Sequence, residues 1–63
     1  MKNVRHYRRN GYDILTWNTE MGERTVYALK VYKGNDPIFG NCFDSPRQRS
    51  RYIVTLTQNE AKL

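Results

Sequence analysis

Apolar and polar residues alternate along most of this chain, and the alternation breaks at short clusters of Asn, Gly, Asp and Pro. The first break, Asn10-Gly11, separates residues 4–9 from residues 12–17. Both members of an Asn-Gly pair tolerate the positive φ that a type I′ turn demands, so the pattern predicts a β-hairpin. In its second arm Tyr12, Ile14 and Thr16 share one face while Asp13, Leu15 and Trp17 share the other. Apolar groups on both faces mark a strand inside a sheet.

A second break at residues 18–23 supplies Gly22 for a left-handed position, and residues 24–33 resume with β-branched and aromatic side chains. There Tyr27, Leu29 and Val31 oppose Val26, Ala28, Lys30 and Tyr32, which predicts a third, two-sided strand antiparallel to the second. Gly34-Asn35-Asp36-Pro37 ends it. Residues 38–46 have the weakest periodicity and read as an ordered loop or a tiny hairpin, with Phe39 and Phe43 plugging one end of the core.

Beyond Pro46, Tyr52, Val54 and Leu56 fall on one face and Arg47, Arg49, Arg51 and Ile53 on the other, which predicts the fourth strand. A competing signal precedes it. Ser45 and Gln48 have capping-box spacing and Pro46 suits a first helical position, so a short helical turn is expected ahead of the strand. The β-branched run Ile53-Val54-Thr55 argues against a long helix. Residues 58–63 read as a frayed end or a short terminal helical turn. The expected fold is mainly β: one small domain over residues 1–63, a four-stranded antiparallel meander or partly open barrel with a long loop and one short helical turn.

Length sharpens this picture. A chain of 63 residues has room for one core, and a domain near this size buries only about 60% of its unfolded-state surface. Cys42 is the single cysteine, so no internal disulfide is available, and a zinc site would have to draw on His6 and scattered carboxylates. No metal and no cofactor are expected, and a lone thiol points to a reducing, intracellular setting. No apolar run is long enough to cross a bilayer, and residues 1–5 lack the apolar stretch of a signal peptide, so no membrane role is expected. If the sheet stays open, a second copy is the simplest cover for its spare face, which makes a homodimer an expectation of shape.

Catalysis needs a base or nucleophile beside a group that activates it, and the sequence pairs neither His6 nor Cys42 with one. His6 sits among Arg5, Arg8 and Arg9, which supply no carboxylate to orient the ring; Cys42 is followed by Asp44, not by a cation, and reads as a buried packing thiol. The glycines form no phosphate-binding loop. A non-enzymatic protein is therefore expected.

The charge is informative because of where it lies. The net charge of +5 comes from two segments: Lys2, Arg5, Arg8 and Arg9 precede the first acid, and Arg47, Arg49 and Arg51 follow Pro46. On a strand the last three would project from one face at intervals of about 6.6 Å, suited to a row of phosphates. Arg5, Tyr7 and Arg9 would likewise share a face, with Tyr7 free to stack on a base and Tyr12, Trp17 or Tyr32 extending the platform. The leading expectation is a small nucleic-acid-binding regulatory or accessory protein, with Arg5, Tyr7, Arg8, Arg9, Arg47, Arg49 and Arg51 contacting DNA or RNA. The alternative is an adaptor or inhibitor docking on a larger protein through a Tyr and Arg surface. Glu20, Glu23, Asp36 and Asp44 would mark faces that avoid phosphate. Helix-turn-helix, zinc-finger and RNA-recognition signatures are absent.

Overall fold

A computed structural model describes residues 2–58 of the chain. Asn10 and Gly11 adopt φ of 51° and 85°, as the Asn-Gly turn requires, and fold β1 (Lys2–Arg9) back on β2 (Tyr12–Met21). The second strand runs further than expected: it continues through residues 18–21, and the turn to β3 (Arg24–Lys33) tightens onto Gly22 and Glu23. A fourth strand, β4 (Asp36–Phe43), pairs with β3, and one helix, α1 (Pro46–Gln58), follows. All pairings are antiparallel, in the order β1-β2-β3-β4. The fold is mainly β, and the sheet is open.

Two assignments change places. The fourth strand is formed by residues 36–43, where a loop was expected, and the segment expected as that strand, Arg47 to Leu56, is helical. Its helicity starts at the capping box: Gln48 N donates to Ser45 Oγ at 3.2 Å, and Asp44 N donates to Gln48 Oε1 at 3.3 Å. The first backbone turn closes from Arg49 N to Ser45 O. Once in a helix, Arg49, Tyr52, Ile53, Leu56 and Thr57 form one stripe, and burying that stripe outweighs the few tenths of a kcal/mol that each β-branched residue costs. The expectation for residues 59–63 lies outside the described residues.

The helix covers one face of the sheet. Register places Tyr7 opposite Ile14, Ile14 opposite Val31 and Val31 opposite Phe39, so these four form a cross-strand row beneath α1. Ile14, Leu29, Val31, Tyr12 and Ile53 make the buried cluster, with Tyr7, Phe39, Phe43, Tyr52 and Leu56 around it. Phe39 and Phe43 do pack as core-closing residues: their rings lie 4.4 Å and 5.7 Å from the Tyr52 ring. This clasp explains why β4 forms despite Pro37 and Gly40, since an edge strand tolerates both when its inward side chains are well packed. Nothing covers the other face of the sheet among the described residues.

Candidate nucleic-acid interface

Alternation along β1 sends Arg5, Tyr7 and Arg9 to the helix-bearing face, as expected, and His6 and Arg8 to the open one. The Arg5 guanidinium lies 5.7 Å from the centre of the Tyr7 ring. Tyr7 is half-buried against the core cluster, so only part of the ring is free to stack on a ligand. Arg9 Nε donates to Thr57 Oγ1 at 3.0 Å, and Asn10 Nδ2 donates to Thr57 O at 3.2 Å. Thr57 is fully buried, and its hydroxyl donates in turn to Ile53 O at 2.8 Å. This chain of bonds fastens the end of α1 to the β1–β2 turn.

The three helix arginines do not form the expected row. At 100° per residue Arg47 and Arg51 are neighbours one turn apart on the outer surface, both exposed, while Arg49 points the other way. Arg49 donates to Trp17 O at 3.1 Å, to Asn18 Oδ1 at 3.1 Å and to Ala28 O at 3.2 Å, and its guanidinium lies 5.6 Å from the Tyr27 ring centre. Burial pulls its pKa below the ordinary arginine value, with Tyr7 and Tyr27 opposing the shift and Arg5 adding to it. Arginine remains charged through such a shift. Arg49 is thus a clamp between helix and sheet, while Arg47 and Arg51 are available to a ligand.

The aromatic residues divide as well. Tyr12 is only 7% exposed and belongs to the core, with the Lys33 ammonium 5.3 Å from its ring centre. Trp17 and Tyr32 are half-buried on the open face, where Trp17 stands opposite Ala28 and Tyr32 opposite Asp13. Arg8 also lies on that face and is paired with Asp13 at 3.2 Å. Cys42, expected to be buried, is exposed on the same face opposite Ala28, because it lies on an edge strand and points to the side of the sheet that the helix does not cover.

Two of the β1 cations are paired with acids of β2, Arg8 with Asp13 and Lys2 with Glu20 at 3.6 Å, and Asp44 pairs with Arg24. Within β1 and α1 stand seven of the eleven Lys and Arg residues and none of the six acids. Sequence reasoning missed the role of Asn10 and Thr57 in joining these two elements; the only available signal was a threonine at helical spacing from Ile53. Among the described residues no cluster of three or more His, Cys, Asp or Glu side chains is placed to hold a metal ion, and no helix is long and apolar enough to cross a membrane. No family model, no curated protein and no solved structure matches the chain.

Proposed function

We propose that this protein binds nucleic acid through its helix-bearing side, with Arg47 and Arg51 on α1 and Arg5 and Arg9 on β1 contacting phosphates. The observation that carries this reading is that β1 and α1, two segments that contain no acid, are tied at their ends by the Arg9 and Asn10 bonds to Thr57. Guanidinium groups bind phosphate oxygens in bidentate fashion, and each neutralised phosphate releases condensed counterions. The exposed edge of Tyr7 supplies a stacking surface between the cations of β1. Arg8, engaged with Asp13 on the opposite face, and Arg49, engaged with the sheet, stand outside the contact set.

The alternative, an adaptor or inhibitor docking on a larger protein, draws on the uncovered sheet face with Trp17 and Tyr32. Strand addition is disfavoured as its route. The β1 edge carries Lys2, Arg5, Arg8 and Arg9 and is bent by a bulge in which Asn3 takes a φ of 55°; the β4 edge includes Pro37, which has no N–H to offer.

Fluorescence anisotropy with labelled single- and double-stranded DNA and RNA, repeated over a series of salt concentrations, tests the nucleic-acid reading. For duplex DNA, Arg47→Gln with Arg51→Gln should make the log K against log salt slope shallower by about 1.8, since each phosphate contact contributes about 0.9. Binding that is absent at low salt, or a slope unchanged in the double variant, would refute it.

A further inference from the structure

We propose that the uncovered face of the sheet is a self-association surface, on which a second copy of this chain packs face to face about an axis lying between β2 and β3 and parallel to them. The argument starts from register. On this face Asp13 stands opposite Tyr32, Leu15 opposite Lys30, Trp17 opposite Ala28 and Thr19 opposite Val26. A two-fold axis in that position carries each residue of β2 onto the β3 residue opposite its own position, so these four pairings become the contacts between copies. Trp17 then stands over the second copy's Ala28 row, where a shallow recess is walled by that copy's own Trp17, Lys30, Gly40 and Cys42; Ala28, at its floor, is only 2% exposed, so the contact is with the walls. Large meets small in the Trp17 and Ala28 row, and side chains of comparable size meet in the rows beside it, at the sheet separation of about 10 Å that face-to-face packing sets.

Charge selects this surface over the others. The helix-bearing side concentrates arginines, so two copies brought together there would repel. Both sheet edges are guarded, β1 by charge and a bulge and β4 by Pro37. On the open face Asp13 neutralises Arg8, leaving Lys30 as the remaining cation of the central rows, and the axis sets it against the second copy's Leu15, where its stem can lie flat and its ammonium reach water. Asp13 faces the Tyr32 hydroxyl. An apolar centre of the half-buried Leu15, Trp17 and Val26 within a polar rim is the anatomy of a protein interface.

Area sets the strength. Four strands at about 4.8 Å spacing and roughly 27 Å of strand length give about 500 Å² of plan area per copy. The pair buries on the order of 1,000 Å², the threshold for a specific interface, so the dimer dissociates on dilution. Both helix-bearing sides remain turned outward, and self-association does not depend on their binding nucleic acid.

Sedimentation velocity over a concentration series, with Trp17 emission recorded in parallel, tests the proposal. Trp17 is the only tryptophan, so its spectrum reports this face alone. The mass should climb from 7.5 kDa towards twice that value, and the emission should shift to the blue in step. Leu15→Arg, which confronts Lys30 of the second copy, should raise the dissociation constant at least about thirtyfold, as loss of a central contact does. Lys30→Glu, at an exposed position that leaves folding intact, should weaken the dimer in the same direction. A monomer up to about 1 mM overturns the proposal. So does a dimer that both variants leave intact, or a Trp17 shift that needs added oligonucleotide, which would give the face to nucleic acid instead.

Discussion

Arg49 and Arg51 are two residues apart and have opposite roles, because a helix turns them roughly 160° from one another. Arg49 serves three acceptors that β2 and β3 leave at the edge of the helix footprint. Hydrogen bonds from a charged donor contribute about 1.5–3 kcal/mol each when buried, and partial exposure reduces that figure here. Arg49→Ala should therefore destabilise the fold by about 2 kcal/mol, whereas Arg47→Ala should stay within about 0.5 kcal/mol of wild type. Urea denaturation followed by circular dichroism compares the two. Equal effects would mean that Arg49 is not a clamp. Arg49→Lys should rescue only part of the loss, since a compact ammonium can replace the single nitrogen that serves the three acceptors but not the planar guanidinium against the Tyr27 ring. Charge reversal at Arg49 would consequently report on folding, and Arg51 is the position at which to test phosphate contact.

At the scale of elements, the sequence made β1, β2 and β3 legible and exchanged the identities of the two segments that follow. Asn10-Gly11 and Gly22 mark tight turns by their backbone requirements, which depend on a few adjacent residues only. The segment after Pro46 satisfies two periods at once: Tyr52, Val54 and Leu56 alternate as in a strand, while Arg49, Tyr52, Ile53 and Leu56 repeat as in a helix. Ser45 and Gln48 were the deciding signal, and the β-branched run obscured it. In β4 the reverse holds. Pro37, Gly40 and Asn41 have poor strand propensity, and the strand exists because β3 offers an edge and Tyr52 on α1 offers a ring to Phe39 and Phe43. That partner is remote in sequence, so no local reading contains it. The candidate site suffered the same way: the basic character of both ends was visible, but which arginines faced solvent depended on whether the second end was strand or helix. If the cap decides that question, Ser45→Ala should cost about 1 kcal/mol and lower the helical circular dichroism signal before the sheet melts. A loss of stability with the helical signal fully retained would place the decision in the Tyr52 clasp instead.

The whole molecule combines a small core with a strongly biased charge, and the two are linked. Few apolar side chains are fully enclosed, so net stability is a small difference between large opposing terms. Folding also ties the end of β1 and its turn to the end of α1 through Arg9, Asn10 and Thr57, gathering charge that the unfolded chain keeps apart. A polyanion bridging these two elements binds the folded state selectively, and its binding energy is added to folding stability. At a free oligonucleotide concentration one hundred times the dissociation constant, that linkage contributes about 2.7 kcal/mol. For a domain of this size each kcal/mol moves the midpoint by about 4–8 °C, so thermal unfolding should shift upward by roughly 10–20 °C. Arg47→Gln with Arg51→Gln should shrink the shift at the same oligonucleotide concentration while leaving the midpoint of the free protein nearly unchanged, because both side chains are exposed on the outer surface of α1. Raising salt should shrink the shift in wild type as well. A midpoint that does not respond to oligonucleotide, in a protein whose midpoint still rises with its own concentration, would assign the extra stabilisation to the uncovered sheet face and remove the support for phosphate recognition by β1 and α1.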